Sequence, residues 1–231
     1  MYMPKYAIFR VAKLKQGRAA GGFARSWRHL QNHEKTATIS HPELSQYNKT
    51  SVSEKVEQRG ISAVLRDIIK HHNKVSAKKL RSDAAIGAEM LFSYSQKDDN
   101  GNPIPFDLNF VEDYEKRLCN FVSERFADFR VLRIDRHCDE ESVHWHLVGV
   151  CVNKNHRINT KSVLGGPYEL RAHQTAFAKC VADLGLVRGI SKELTKAKHI
   201  SKDKYNRKKY VERLSKEEAK KLIEDVLGDE R

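Results

Sequence analysis

A chain of 231 residues with 39% hydrophobic and 32% charged side chains is long enough for one sizeable core, and no apolar run approaches the ~20 residues that span a bilayer. Its N-terminal MYMPKYAIFRVAK lacks the apolar core and cleavage site of a signal peptide, and four scattered cysteines predict free thiols in a reducing cytoplasm. A formal charge of +13 calls for a polyanionic partner, and nucleic acid fits better than an anionic membrane because no amphipathic helix offers a bulky apolar face for insertion.

Lys5 to Val11 reads as a first strand, and the turn Ala19-Ala-Gly-Gly22 opens a helix running from Phe23 to about His33. Residues 35–51, rich in Ser, Thr and Asn with one Pro, predict a long loop. Val56, Ile61, Val64, Leu65, Ile68 and Ile69 recur at helical spacing and predict a single helix over Ser53 to His72. Ala84 to Tyr94 follows as a second strand, the DDNGNP segment from Asp98 as a turn, and Asp107 to Phe126 as an amphipathic helix. The apolar runs Phe129 to Ile134 and Leu147 to Val150 predict two adjoining, centrally placed strands. Pro167 to Leu184 is a helix stopped near Gly185 and Gly189, Ile190 to Arg213 is strongly basic, and Lys216 to Leu227 reads as a terminal helix. The order predicts an α+β fold, an antiparallel or mixed sheet flanked by helices. Residues 1–190 would form the main domain, and 191–231 a basic helical C-terminal extension packing on it or following it. Basic residues gather in Lys13 to Arg28, Lys74 to Arg81 and Lys192 to Arg213, a distribution that favours a binding face over an evenly solvated surface.

The densest chemistry lies in residues 137–146, HCDEESVHWH. Alternate residues of a strand project to one face, so His144 and His146 point together while Trp145 faces the other way. The short connection from Cys138 to Val143 lets the preceding strand fold back antiparallel and bring His137 beside that pair. Three neutral imidazoles leave coordination positions open on a divalent metal, which suits a Lewis acid better than a closed structural site. Glu140 or Asp139 could add a fourth ligand or fix an imidazole tautomer. Cys138 would point away from His137, and no CxxC spacing supports a zinc ribbon. Such a site in a basic protein predicts phosphoryl chemistry on nucleic acid, with water or a side chain as nucleophile.

His144-Trp145-His146 is the histidine, hydrophobic, histidine pattern of HUH endonucleases, and the whole of HCDEESVHWH resembles the metal motif of the MobV (Mob/Pre) plasmid-mobilisation relaxases. Tyr6-Ala-Ile-Phe-Arg10 with Lys13-Leu-Lys15 resembles that family's first strand, Lys79-Leu-Arg-Ser-Asp-Ala84 followed by Glu89 its second motif, and Val181-Ala-Asp-Leu-Gly-Leu-Val-Arg-Gly189 its helix after the metal strands. The similarity runs in order from about residue 5 to 200. It implies an enzyme that nicks one DNA strand at a plasmid or mobile-element transfer origin, stays joined to the 5′ phosphate, and later reseals the ends. It also implies an HUH-type five-stranded antiparallel sheet, a Mn2+ or Mg2+ ion, and as partners an origin hairpin with adjacent single strand and other mobilisation or conjugation proteins. His137, His144 and His146 would be the metal ligands and Glu140 a carboxylate of the site. Glu89 would orient or deprotonate the nucleophile, and Arg10, Arg28, Lys78, Arg81 and Lys161 would contact DNA.

One departure concerns the nucleophile. The family carries a histidine on its first helix in a context like Phe-Lys-His-x-x-Arg, whereas Phe23-Ala-Arg-Ser-Trp-Arg28 sets Arg25 there, and a guanidinium stays protonated. Arg25, His29 and His33 follow at i, i+4, i+8, so His29 could act one turn further along, with His33, Tyr6 and Tyr47 as alternatives. The competing readings are an origin-hairpin binding protein or repressor without cleavage, a metallonuclease that uses water, and an RNA-binding protein with incidental histidines.

Overall fold

Large apolar side chains alternate along the strands in a way that requires cover on both faces of one sheet. The computed structural model describes residues 5–16, 22–98 and 102–190, together with Lys204 and Glu218. The chain divides into units Met1–Gly189 and Ile190–Arg231, and the sheet belongs to the first. The expected terminal helix and nearly all of the basic segment before it lie outside the described residues.

The strands are β1 (Tyr6–Lys15), β2 (Lys49–Val52), β3 (Ala85–Tyr94), β4 (Phe129–His137), β5 (His144–Cys151) and β6 (Val187–Arg188). They form a six-stranded sheet in the order β2-β4-β5-β3-β1-β6, antiparallel except for the pairing of β6 with β1. The antiparallel sheet flanked by helices is therefore present, with a short parallel sixth strand beyond the five expected. The helices are α1 (Phe23–Gln31), α2 (His33–Thr36), α3 (Glu54–Arg59), α4 (Ile61–Val75), α5 (Leu108–Arg125), α6 (Thr160–Leu164) and α7 (Pro167–Cys180).

On one face, α5 and α7 cover Phe9, Phe92, Tyr114, Phe121, Trp145 and Phe177. On the other, α1 and α4 cover Leu14, Phe23, Trp27, Val64, Leu132, Val148 and Val150. The period of two along β5 sorts Trp145 and Leu147 to the first core, and Val148 and Val150 to the second. Gly87 of β3 and Gly149 of β5 let the backbone and α1 come close. A Cβ at Gly87 would lie 2.0 Å from the Gly149 carbonyl oxygen and 3.0 Å from the Phe23 ring.

Four expectations change. The first strand continues past Val11 to Lys15 because β1 stays paired with β3 along that length. The loop expected over 35–51 contains a 3-10 turn, Pro42–Tyr47, and the edge strand β2, whose KTSV is too short and polar to show a period. The single helix expected over Ser53 to His72 is broken at Gly60, where φ is +74°, a conformation open to glycine and strained for other residues. The helix from Pro167 ends at Cys180 and passes into a 3-10 turn, Ala182–Leu184.

Two histidines packed in the cores make stability depend on pH. His72 Nδ1 accepts from the Ile158 N–H at 3.0 Å, and His173 Nδ1 accepts from Arg125 Nε–H at 3.0 Å, so both rings are held neutral. Burial lowers each pKa below the ordinary 6.5, and Arg157 beside His72 and Arg125 beside His173 lower it further. The unfolded chain therefore binds more protons just below that value, so this contribution is complete above pH 6.5 and is lost as the pH falls towards the depressed values. The urea midpoint is expected to decline from pH 7 to pH 5, with a shallower slope in His72→Gln; equal slopes in the two proteins would contradict the assignment.

Candidate metal centre

β4 ends on His137 and β5 begins at His144, and the antiparallel register pairs His137 with His144 and Asp135 with His146. Paired residues share a face, so this register carries all three imidazoles to the α1 side of the sheet. Cys138 turns the other way, buried in the α5 core, with its Sγ 3.6 Å from the Tyr47 carbonyl oxygen. One ligand nitrogen from each of His137, His144 and His146 lies within 4.8 Å of the others.

The outer nitrogens are occupied, which fixes the tautomers. His144 Nδ1–H donates to the Ser142 carbonyl at 2.7 Å, and His146 Nδ1–H donates to Glu89 Oε1 at 2.6 Å. Each ring thereby keeps its Nε2 lone pair for the interior. His144 Nε2 lies 3.3 Å from His137 Nδ1. Burial drives the His137 pKa down to about 2, helped by the neighbouring His33, His144 and His146; burial and then His146 lower that of His144. Neutral imidazoles with converging lone pairs fit a divalent cation.

Glu140, from the connection between β4 and β5, brings Oε1 to 3.6 Å from His137 Nδ1 and 3.5 Å from His144 Nε2. Of the two acids considered for a fourth ligand, Glu140 alone faces the imidazole trio. Asp139 is committed elsewhere: its carboxylate accepts from Ser45 Oγ at 2.8 Å and Asn48 Nδ2 at 2.7 Å, and it meets His33 Nε2 at 3.2 Å. Burial works to raise its pKa, but those hydrogen bonds prevail and hold the carboxyl below its ordinary range. Asp139 thus ties the β4–β5 hairpin to the 40–48 segment.

α1 supplies the other side of the site. Its last turn rests on a buried ion pair in β4: Arg133 Nε and Nη2 each lie 2.6 Å from an Asp135 oxygen, and Nη2 also donates to the Leu30 carbonyl at 3.3 Å. Thr50 Oγ1 of β2 donates to the same carboxylate at 2.7 Å, and the Arg133 guanidinium lies 5.5 Å from the Trp27 ring centroid. From the helix so placed, the Ser26 hydroxyl donates to Glu89 Oε2 at 2.5 Å. Glu89, on β3 opposite Val148, therefore bridges Ser26 and His146. Burial would raise its pKa, but the bond and charge of His146, the Ser26 bond and the nearby His29 keep it below the ordinary value.

The helical stripe of Arg25, His29 and His33 does not form, because α1 ends at Gln31 and the chain restarts in α2. Arg25 and His29 are exposed on α1. His33 stacks on His137 with centroids 3.7 Å apart, and its Nδ1 lies 3.5 Å from Glu140 Oε1. His33, His137 and Glu140 offer a second set of ligand atoms within 4.8 Å. Tyr47 packs on Phe106 at 5.1 Å, in the α5 layer, and Tyr6 is half-buried at the start of β1. Sequence reasoning missed Ser26, because only the height of α1 over β3 joins it to Glu89.

The cationic residues fall into two groups. Arg10 pairs with Leu91, which pairs with His146, so Arg10 is exposed on the site face two strands away, roughly 10 Å at the usual strand spacing. Arg28 is exposed on α1. Lys78, Arg81 and Lys161 are exposed near the opposite end of the sheet, where β3 begins and β5 has ended, and Arg81 is paired with Asp83 at 2.6 Å.

A family model described as Mob_Pre, plasmid recombination enzyme, matches residues 3–207. Plasmid recombination enzymes type 3 of Staphylococcus aureus and of Mammaliicoccus lentus are each 27% identical over 215 residues, covering 88% of this chain and 48% of the relative. The chain thus spans about half the length of the curated relatives it matches. A solved structure of the MobM relaxase domain (MOBV; Mob_Pre), manganese-bound and in complex with pMV158 oriT DNA, superposes with a TM-score of 0.64 at 23% identity, covering 88% of this chain and 98% of that one. The fold matches that of a relaxase domain, and because the family model covers residues 3–207, the chain belongs to the Mob_Pre family of plasmid recombination enzymes.

Proposed function

We propose that this chain nicks and rejoins one strand of DNA at a transfer origin through a covalent protein–DNA intermediate. The observation that carries the proposal is the convergence of His137, His144 and His146 beside Glu140, across from a helix whose side chain reaches Glu89. Those three histidines would hold the cation, with Glu140 alongside. A bound Mn2+ or Mg2+ supplies Lewis-acid polarisation of the scissile phosphate and offsets its developing charge.

The remaining work falls to the chain. Glu89 fixes the His146 ring and stands ready to take the nucleophile's proton. Arg10, Arg28 and Arg25 bring positive charge to the site face for the single strand, while Lys78, Arg81 and Lys161 line the distal end, where a hairpin duplex would lie. His29, exposed on α1 within electrostatic reach of Glu89, lies one turn beyond Arg25, the position at which the family carries its histidine. Four free cysteines and the absence, among the described residues, of a helix able to cross a membrane accord with action in a reducing cytoplasm.

The test is incubation with Mn2+ and single-stranded oligonucleotides tiling both strands beside the protein's own gene. A denaturation-resistant protein–DNA adduct on one strand is the expected product. Nicking without adduct would indicate a water-using metallonuclease, and tight binding to a hairpin without nicking a repressor on the same fold.

A further inference from the structure

We infer that the nucleophile of this chain is the Ser26 hydroxyl, with Glu89 as its general base; the inference rests on the strand-transfer reading above. Three features place Ser26. Its Oγ–H is 2.5 Å from Glu89 Oε2, within the range of a charge-assisted O–H···O− bond. The other oxygen of that carboxylate accepts from His146, so base and metal ligand are tied by one side chain. Ser26 also lies early in α1, whose first turn carries no acidic side chain to oppose an approaching phosphate.

The alternatives are less well placed. Arg25 cannot lose its proton. His33 has one ring nitrogen 3.2 Å from Asp139 and the other 3.5 Å from Glu140, so both face acids. Tyr47 packs in the opposite layer. The hydroxyls of Ser45 and Thr50 also donate to carboxylates, but to Asp139 and Asp135, neither of which holds a member of the imidazole trio. His29 remains the rival, and its chemistry is distinguishable.

In the forward step Ser26 Oγ attacks phosphorus while its proton passes to Glu89 Oε2. The Oγ–P bond forms and the P–O3′ bond breaks; the electron pair leaves on the 3′ oxygen, which takes up a proton through solvent as Glu89 gives one up, leaving a 3′ hydroxyl and an ionised Glu89. The 5′ phosphate is left as a phosphodiester of serine. Rejoining reverses this: a 3′ hydroxyl attacks, Ser26 Oγ leaves, and the proton returns. One alkyl phosphodiester replaces another, so the exchange is close to isoenergetic and resealing needs no external energy source.

The experiment isolates the adduct from the wild-type chain, divides it between acid and hot alkali, and maps the modified peptide by mass spectrometry. Phosphoserine survives acid and is lost by β-elimination in alkali, whereas a phosphohistidine bond is cleaved by acid. An acid-stable adduct on the peptide carrying Ser26 supports the inference. A Ser26→Ala variant is expected to lose adduct formation by more than about 100-fold while binding Mn2+ and origin DNA within about twofold of wild type. An acid-labile adduct, a modified His29, or undiminished adduct in Ser26→Ala overturns it while leaving the strand-transfer reading intact. A wild-type chain that nicks its origin without any adduct overturns both. The mapping needs no variant, so the outcome does not depend on how Ser26→Ala folds.

Discussion

His146→Ala is expected to weaken Mn2+ binding by about 100-fold or more, read by isothermal titration calorimetry, with DNA nicking falling in step. The size of the effect follows from what the alanine removes. His146 supplies one of three converging nitrogens, and it is the partner that holds Glu89 beside Ser26. Glu89→Gln separates the two roles. An amide can still accept from His146 Nδ1–H, so metal affinity should fall by less than about tenfold, while proton transfer to that position is lost. Equal Mn2+ affinity in wild type and His146→Ala would remove His146 from the ligand set.

Arg133→Met is expected to destabilise the fold by about 3–5 kcal/mol, because it strands the Asp135 carboxylate in a site that is 1% exposed. For a chain of this size that corresponds to a fall of roughly 10 °C in Tm. Calorimetry of the single variant and of Arg133→Met with Asp135→Leu tests the cause: the double variant should regain much of the loss, since an apolar pair leaves no unpaired charge. If the double variant is as unstable as the single one, the pair's value lies in packing against Trp27. Loss of Arg133 also frees the Leu30 carbonyl, so nicking should decline further than stability alone explains.

Much of the site was legible before any coordinates, because strand alternation is a strict rule. Once residues 137–146 are read as a hairpin, His144 and His146 must share a face, and antiparallel pairing brings His137 to them. The choice between Asp139 and Glu140 was not legible, since it depends on the turn between β4 and β5 and on Ser45 and Asn48 from a segment read as loop. The split of the helix after Ser53 was signalled by Gly60, but the apolar periodicity runs straight across it and masks the break. The stripe from Arg25 to His33 failed for a related reason: periodicity continues past Gln31, while the backbone at Asn32, with φ −110° and ψ 29°, does not. Ser26 carried no local signal, because its importance comes from a residue 63 positions away.

The close approach at Gly87 bears on that last contact. Phe23 is one helical turn before Trp27 and three residues before Ser26, and a Cβ at position 87 would press on its ring at 3.0 Å as well as on the Gly149 carbonyl. The hydrogen at that position therefore acts as a machined clearance: it sets how low the helix rides, and so whether a serine, with a reach of a single carbon, can touch the carboxylate below. A longer nucleophile tolerates a helix that rides higher. A short one holds the sheet beneath it to tolerances finer than a methyl group.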